Sequence, residues 1–417
     1  MRGDVALPVK KKSVVISAFT LEAKLKRKIR AHLRKLGFER SQGGALKPPS
    51  SSKEAVRALH QEQRKAILKS QRRFLAEALP QLSKHFANGD EIDPRKVLPR
   101  LEIVEAGTWQ SDLFRLASLT WSVPVSAGFG RRLRYLVWDD SNKKLLGIIA
   151  LGDPVFNLKV RDELIDWTVK DRGKRLVNIL DAYVLGAVPP YNMLLGGKLI
   201  ACLIRSKDVR DNFLEKYGET RGIISKKKKS ARLVMVTTSS SLGRSSVYNR
   251  LKLKEQAYFE SLGYTHGWGH FHIPDTLFAD LRAYLRRKRH KYANGHKFGE
   301  GPNWRLRTIR AALDALGFKA DLLRHGIGRE VFACSLASNA KNILRGKAKR
   351  ATYRSLLTAQ EVGLLARERW LVPRALTRAE YREWRREQLL ELLSAVRHTA
   401  MDQASTTLPE AGRRARS

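Results

Sequence analysis

Several carboxylates stand at positions where a reaction could use them. Asp153 follows the apolar run Leu145–Leu151, Asp181 lies within the run Val177–Val184, and Asp139 follows a shorter apolar run. Active sites often lie at strand ends, and clustered carboxylates hold Mg²⁺ in nucleases. No Asp-x-Asp pair or restriction-type Glu-x-Lys accompanies them, so the sequence predicts no metal ligand set. A metal-dependent nuclease or transposase-like enzyme of a mobile element stays open as an alternative.

Hydroxyl side chains form a second candidate. The loop after the apolar residues 233–236 contains Ser245 and Tyr248 beside Arg244. Such a loop can bind phosphate or position a nucleophile, but no His or carboxylate stands at a recognised nucleophile spacing. A loop that caps a helix is the structural alternative. The candidate catalytic residues are therefore Asp153, Asp181, Ser245 and Tyr248.

A pair of glycines begins a predicted helix, Leu194–Ile204, after a proline-containing turn. Free backbone N–H groups at a helix start bind anions, and glycine lets a phosphate approach closely. The spacing is neither a Walker A loop nor a dinucleotide fingerprint. Close packing of helix on strand explains the glycines equally well. The candidate cofactor-binding residues are Leu195, Gly196, Gly197 and Lys198.

Three histidines fall in the segment 263–272, which alternates glycines with aromatic residues. In a strand, His270 and His272 would share a face, as two metal ligands must. Only Asp275 stands near as a further ligand. Structural histidines are the first interpretation, contact with nucleic acid through base stacking the second, and metal binding the third.

The charge balance indicates the partner. The 417 residues include 81 Lys and Arg against 40 Asp and Glu, a net charge of +41. Separate basic runs without acidic counterparts favour a nucleic-acid partner over merely solvated helix faces. We therefore expect binding to DNA, whether single- or double-stranded. The candidate nucleic-acid-binding residues are Arg244, Arg286, Arg287, Arg289, Lys291, Arg345, Lys347, Lys349 and Arg350.

The elements that must position these residues indicate an α+β fold. Apolar residues four apart predict a helix over Leu21–Leu36, and the absence of Gly and Pro predicts another over Lys53–Leu79. Strand-like runs alternate with helical segments in the middle of the chain, which favours a central mixed sheet. Residues 355–398 have the pattern of long Arg-rich helices.

The same pattern divides the chain. We expect a basic helical region over residues 1–100, an α/β core over 101–292, and a basic, mostly helical region over 293–417 with a disordered tail from Thr406 to Ser417. No run of 18 apolar residues is present, and the two cysteines cannot form a disulfide framework. The sequence therefore predicts a cytoplasmic protein without membrane contact.

Several long motifs carry a family resemblance. They are Ala150-Leu151-Gly152-Asp153-Pro154-Val155-Phe156, Gly186-Ala187-Val188-Pro189-Pro190-Tyr191-Asn192, Gly243-Arg244-Ser245-Ser246-Val247-Tyr248-Asn249 and Gly267-Trp268-Gly269-His270-Phe271. Together they resemble the DruA family of the Druantia anti-phage systems, over about residues 110–375. The resemblance implies a role in defence against phage alongside other proteins of the same system, or a passenger role on mobile elements. It implies no particular reaction.

The core also resembles, more weakly, the GNAT acyltransferases, and within them the phage Mom-type DNA-modifying branch. That resemblance implies that the helix start at Leu195–Lys198 holds the pyrophosphate of acyl-CoA. The cofactor stays open between acyl-CoA and Mg²⁺. The favoured hypothesis is thus a DNA-binding defence component with a GNAT-like core flanked by basic helices. The alternatives are a GNAT-like enzyme that modifies nucleobases and the metal-dependent nuclease.

Overall fold

A computed structural model describes residues 20–42, 46–50, 52–126, 128, 130–221, 228–294, 304–318 and 320–394. The tail predicted to be disordered, Thr406–Ser417, lies outside the described residues. No described helix is long and apolar enough to cross a membrane.

The α-helices, in chain order, are α1 (Leu21–Lys35), α2 (Lys53–Ser70), α3 (Arg72–Leu82), α4 (Trp109–Leu119), α5 (Lys159–Ile165), α6 (Val169–Arg175), α7 (Gly196–Leu203), α8 (Lys207–Tyr217), α9 (Asp275–Arg287), α10 (Trp304–Ala315), α11 (Ala340–Arg345), α12 (Ala359–Ala366), α13 (Val372–Thr377) and α14 (Leu389–Leu393). A π-helical turn, Arg367–Leu371, joins α12 to α13. Short 3₁₀ turns cover Ser83–His85, Gly89–Glu91, Leu176–Asn178, Tyr248–Arg250, Ala320–Leu323, Ala379–Glu383 and Arg386–Gln388.

The strands are β1 (Glu39–Arg40), β2 (Leu46–Lys47), β3 (Pro99–Ile103), β4 (Arg132–Asp139), β5 (Lys144–Gly152), β6 (Ile179–Ala187), β7 (Glu219–Arg221), β8 (Lys228–Ser230), β9 (Met235–Ser239), β10 (Lys252–Leu253), β11 (Gln256–Ala257), β12 (Glu260–Tyr264) and β13 (Glu330–Ser335). Seven of them form one sheet in the order β12-β13-β9-β6-β5-β4-β3. The predicted mixed α and β class with a central mixed sheet is confirmed.

The direction of pairing changes inside this sheet at β6. Strand β6 pairs antiparallel with β5 and parallel with β9. The parallel pairing covers only Ile179–Asp181 against Met235–Thr237, and β6 then runs on to Ala187. Beyond Asp181 and Thr237 the two strands are therefore no longer paired.

Alternation along the strands separates two packed faces, because successive strand side chains point to opposite sides. Leu180 and Ala182 belong to the core cluster that includes the buried side of α7. Ile179, Met235 and Ala333 belong to a different cluster, with Ile165 at the end of α5. Residues of odd number in the first part of β6, such as Asp181, therefore lie on the face opposite α7.

The described residues group into two units. The first comes from the ranges Met1–Pro49 and Gly269–His325, and contains α1, α9, α10 and the β1–β2 hairpin. The second comes from Ser50–Trp268 and Gly326–Ser417, and contains the seven-stranded sheet. The domain boundaries near residues 100 and 292 stay a prediction.

The single helix predicted over Lys53–Leu79 is wrong, because the structure has α2 and α3 in its place. Gln71 between them has φ −96° and ψ 4°, which is outside the helical region and ends α2. The sequence pattern missed this break because neither Gly nor Pro marks it.

The helices predicted over residues 355–398 are confirmed in part. Helix α12, the π-helical turn and α13 follow one another without a break from Ala359 to Thr377, whereas only short 3₁₀ turns and α14 follow up to Leu393. Residues 395–398 lie outside the described residues. Pro373 stands in the first turn of α13, where a proline is tolerated, and Arg378 leaves the helical region with φ −142° and ψ 88°. The continuous helical stretch therefore ends at Arg378.

Candidate functional site

Asp153 is tied to Arg131 directly after β5. The Arg131 Nε donates to Asp153 Oδ1 over 2.8 Å, and the backbone N–H of Arg131 donates to Oδ2 over 3.0 Å. The same guanidinium also donates to the carbonyl oxygens of Val177 and Ile179, at 2.7 and 3.3 Å. Asp153 thus helps to fix the start of β4 and the start of β6, and its side chain keeps 37% of its surface exposed.

Asp181 accepts a hydrogen bond from Thr237 across the parallel pair β6–β9. The distance from Thr237 Oγ1 to Asp181 Oδ1 is 2.7 Å. Burial raises the pKa of Asp181 to about 6, although the Thr237 bond and the charge of Arg161 act in the opposite direction. A carboxyl that titrates near neutral pH can take and release protons, so Asp181 keeps its candidate role as a general acid or base.

Arg161 is the fully buried cation near Asp181. Its guanidinium is held by Asp162 through Nε at 2.9 Å and Nη2 at 2.7 Å, and by the carbonyl oxygens of Val155 and Phe156. The Asp162 carboxylate also binds Arg172, with 2.6 Å between Arg172 Nη1 and Asp162 Oδ2. This pairing keeps Arg161 charged in spite of its burial.

Ser245 and Tyr248 lie on the other face of the sheet. Tyr248 bonds to Thr238, and its ring centroid is 5.3 Å from that of Phe332, which pairs with Thr238 in the sheet. Burial raises the pKa of Tyr248 to about 12. Thr237 and Thr238 point to opposite faces of the sheet, yet the charge of Asp181 also contributes to the raised pKa of Tyr248.

Ser245 has a structural task in this loop. Its Oγ accepts hydrogen bonds from the backbone N–H groups of Val247 and Tyr248, at 3.1 and 3.0 Å. Its own backbone N–H donates to the buried carboxylate of Glu330 over 2.9 Å. The hydroxyl therefore caps the turn that carries Tyr248. Asp153 and Asp181 are the acidic pair of candidate catalytic residues, and Ser245 and Tyr248 are the hydroxyl pair; their catalytic roles stay a prediction.

Asp139 stands apart from both pairs. Its carboxylate accepts from the backbone N–H of Leu98 at 3.0 Å, from Ser141 Oγ at 2.8 Å and from Tyr191 Oη at 2.9 Å. Within the ranges that the structure describes, no three or more His, Cys, Asp and Glu residues form a group that could hold a metal ion. The aspartates considered for a nuclease are thus each engaged separately.

The glycine pair begins α7, as predicted. Gly196 is buried, and a Cβ added to it would lie 2.6 Å from the Tyr191 carbonyl oxygen and 3.1 Å from Ala187 Cβ. Only glycine fits there, so Gly196 serves the close packing of helix on strand. A Cβ at Gly197 would meet nothing within 4 Å, and Leu195 before the pair has φ +61°. The Cβ position of Gly197 thus faces open space.

Lys198 has neighbours that the sequence did not indicate. Its Nζ lies 5.5 Å from the centre of the Trp370 ring. Burial and the charges of Arg369 and Arg374 together lower the pKa of Lys198. Arg374 donates to the Met193 carbonyl oxygen, in the turn before α7, over 3.3 Å. Three cations from two distant segments therefore converge at the start of α7, and the π-helical turn presents Arg369 and Trp370.

The basic residues at the end of α9 are exposed. Arg286, Arg287 and Arg289 have no carboxylate partner among the described residues. Lys288, in the middle of this run, is instead paired with Glu22, with 2.9 Å between Nζ and Oε1. Lys291 is exposed and lies over the Tyr292 ring, 5.4 Å from its centre. The run predicted to hold nucleic acid is therefore mostly free to do so.

Helix α1 adds a second row of cations in the same unit. Its buried side consists of Leu25, Ile29 and Leu33. Lys24 and Arg34 are exposed and lie on the side of the helix that faces away from these three residues. The sequence revealed these charges, but only the packed side of α1 shows which face carries them.

The third basic cluster is divided. Lys347, Lys349 and Arg350 are exposed. Arg345 instead donates to the carbonyl oxygen of Ile165 over 3.0 Å, at the end of α5. Arg244, in the loop after β9, is exposed. Arg345 thus holds two helices together, and its predicted contact with nucleic acid stays a prediction.

The three histidines do not lie in a strand, because residues 265–274 form a loop before α9. His272 is buried, and its Nε2 is 2.9 Å from the Leu322 carbonyl oxygen. Its ring packs on those of Phe38 and His325. His272 therefore has a structural role, which agrees with the first interpretation of this segment.

Comparison with known proteins identifies the family. The family model described as Druantia protein DruA matches residues 50–346. A curated relative from Escherichia coli (strain UMEA 4076-1), named Druantia protein DruA, is 57% identical over 382 residues, which are 92% of this chain and 95% of the relative. No solved structure matches the chain. The chain therefore belongs to the DruA family of the Druantia anti-phage defence systems.

Proposed function

We propose that this chain is the nucleic-acid-binding component of its defence system and that it holds DNA through exposed Lys and Arg side chains. The observation that carries the proposal is the exposed run Arg286, Arg287 and Arg289, which lacks carboxylate partners among the described residues. A cation that faces a phosphate releases a condensed counterion, so such a run gains affinity from any DNA sequence.

The overall charge supports the same proposal. With 81 basic and 40 acidic residues, pairing every carboxylate with one cation would still leave a net charge of +41. Such a surface attracts polyanions over long distances and repels copies of itself. DNA is the polyanion that a phage-defence protein would meet, and the family membership points to that setting.

The test compares two triple variants that lose the same charge. The first, Arg286→Gln, Arg287→Gln and Arg289→Gln, removes the unpaired cations of α9. The control, Arg57→Gln, Lys65→Gln and Arg73→Gln, removes cations that pair with Glu54, Glu62 and Glu77. We expect the first variant to reduce the slope of log affinity against log salt by about three and the control to leave it near the wild-type value. Equal slopes for both variants and the wild type would contradict the proposed surface.

A second candidate function rests on the cations Lys198, Arg369 and Arg374. We propose that they hold the phosphates of a cofactor such as acyl-CoA, which would make the chain a GNAT-like enzyme acting on nucleobases. The site lies at the start of α7, which follows β6 and packs on β6 and β5, and free backbone N–H groups at a helix start bind phosphate. The mutual repulsion of three cations would be relieved by a bound phosphate.

Calorimetric titration with coenzyme A tests this second candidate. We expect binding that weakens at least tenfold in Lys198→Gln, because a charged hydrogen bond to phosphate contributes about 1.5–3 kcal/mol. The matched control is Lys207→Gln, at the start of α8, which removes the same charge from an exposed site in the same unit. Wild-type protein that shows no heat of binding to coenzyme A would remove the acyl-CoA candidate.

A further inference from the structure

Two aromatic side chains at one edge of the sheet are exposed without a ring partner. Tyr264 ends β12, and Trp268 follows four residues later; each keeps 48% of its surface exposed. Neither ring has a ring, cation or hydrogen-bond contact in the described part of the chain. Two other exposed aromatic residues are engaged, because Trp109 stacks on His85 and Phe156 lies under Arg172.

The backbone that carries the two rings is braced. Thr265 N donates to the Arg329 carbonyl oxygen over 2.9 Å, and Arg329 N donates to Thr265 Oγ1 over 3.0 Å. Gly326 N donates to the Gly267 carbonyl oxygen over 3.1 Å. The segment is thus held against residues 326–329 on both sides of its turn.

Glycines allow the backbone of residues 264–268 to approach the backbone of residues 326–329 closely. Gly267 has φ +61°, and a Cβ there would lie 2.6 Å from the backbone nitrogen of Ile327, so no other residue fits. A Cβ added to Gly328 would lie 3.6 Å from Tyr264 Cδ1. The Tyr264 ring therefore lies close to the backbone at Gly328, while the residue keeps 48% of its surface exposed. A ring held in this way loses little freedom when a flat partner stacks on it.

An exposed cation lies two strand spacings from the strand that carries Tyr264. Tyr264 pairs with Glu330 in the sheet, and Glu330 N donates to the Gly243 carbonyl oxygen over 3.1 Å. Arg244 follows Gly243 and is exposed. Because neighbouring strands lie about 4.8 Å apart, Arg244 stands about 10 Å from the strand that carries Tyr264. This edge of the sheet thus carries two exposed aromatic rings and one positive charge. The distance of about 10 Å between the charge and the strand of Tyr264 is one that one or two nucleotides can span.

We propose that Tyr264 and Trp268 form a stacking platform for unpaired bases, with Arg244 on the adjoining phosphate, so that the chain binds single-stranded nucleic acid at this edge. This inference rests on the proposed nucleic-acid-binding function and deepens it. Paired bases present only their edges in the grooves of a duplex, whereas unpaired bases expose the faces that aromatic side chains stack on. The platform therefore distinguishes single strands from duplexes.

The test uses labelled deoxythymidine oligonucleotides, oligonucleotides of equal length with abasic positions, and a duplex of that length. We expect Tyr264→Ala and Trp268→Ala each to weaken binding of the single strand about tenfold, in line with the stacking free energy of one base. Duplex affinity and the salt slope should not change, because no charge is removed. Trp268→Phe keeps a flat ring and should restore most of the affinity.

The abasic oligonucleotide separates stacking from charge. The affinity of the wild-type protein for the abasic oligonucleotide should be about as low as the affinity of the double variant Tyr264→Ala, Trp268→Ala for the normal strand. The double variant should bind the abasic oligonucleotide and the normal strand equally. Phe156→Ala, which removes an equally exposed ring, is the control and should behave as wild type.

The outcomes separate this inference from the function on which it rests. Wild-type affinity of the double variant for the normal strand, or an equal loss on single strand and duplex, would overturn the platform and leave DNA binding through the cations standing. Wild-type protein that binds neither the single strand nor the duplex would overturn the proposed function and the platform together.

Discussion

The Lys288 ammonium and the Glu22 carboxylate form an ion pair, with 2.9 Å between Nζ and Oε1, that joins the end of α9 to the start of α1. The pair lowers the pKa of Glu22 and raises that of Lys288. The pair neutralises one cation of the basic run at the end of α9. Two other cations of that run, Arg286 and Arg287, have no carboxylate partner among the described residues.

Removing the Glu22 charge should therefore strengthen DNA binding. In Glu22→Gln, Lys288 becomes available to a phosphate, so we expect a severalfold higher affinity at low salt and a salt slope steeper by up to about one. Fluorescence anisotropy with a labelled duplex at several salt concentrations measures both. The control, Glu54→Gln, makes the same change of net charge beside Arg57 and should have little effect. An equal gain in both variants would show that only total charge matters.

The two glycines of α7 should respond in opposite ways to alanine. In Gly196→Ala the new Cβ meets the Tyr191 carbonyl oxygen, so we expect a loss of about 1–3 kcal/mol of stability. In Gly197→Ala the Cβ meets nothing, and the better helix propensity of alanine should add up to about 1 kcal/mol. Urea unfolding measures both. A neutral Gly196→Ala would mean that close packing does not explain this glycine.

Asp181 should make stability fall as the pH rises. Its pKa is raised to about 6 in the folded chain, above the ordinary value of 3.8, so the folded state binds this proton more tightly. The stabilisation is complete below pH 3.8 and is lost as the pH rises through about 6. Asp181→Asn cannot lose a proton there, so we expect it to be more stable than wild type at pH 7, by about 1–3 kcal/mol, and equal to it near pH 4. Thermal unfolding at the two pH values tests this, and a variant less stable at pH 7 would contradict it.

His272 should make the stability of the fold decrease as the pH falls. Burial lowers its pKa to about 4, below the ordinary value of 6.5, so the neutral form is the one that packs against Phe38. The stabilisation is present above pH 6.5 and is lost as the pH falls towards 4. We expect the unfolding temperature of the wild type to be lower at pH 5 than at pH 7. The unfolding temperature of His272→Gln should be lower than that of the wild type at pH 7 and should decrease less between pH 7 and pH 5. An identical pH dependence in the variant would remove His272 as the cause.

Local patterns in the sequence predicted much of the sheet and of α7. The apolar runs at Tyr135–Trp138 and Leu145–Leu151 are strands β4 and β5, and the helix that opens at Gly196 is present. These elements follow from residues close together in the chain, where side-chain period and glycine placement decide the structure.

The arrangement of the site needed tertiary information. Trp370, Arg369 and Arg374 reach Lys198 from a distant segment, and no spacing in the sequence links them. The position of Arg369 directly before Trp370 was the one local signal. In the same way, the register of β6 against β9 decides that Asp181 meets Thr237, while Thr238 meets Tyr248 on the other face. A shift of one residue in the register of β6 against β9 would place Thr238, rather than Thr237, opposite Asp181.

The salt dependence of DNA affinity for the unaltered full chain tests the central claim most directly. If the exposed cations on α1 and α9 hold phosphates, the logarithm of the affinity should fall linearly with the logarithm of the salt concentration. The α9 run alone should give a slope of about −3, and further phosphate contacts should make the slope steeper. An affinity for DNA that does not change with salt would contradict binding through these cations.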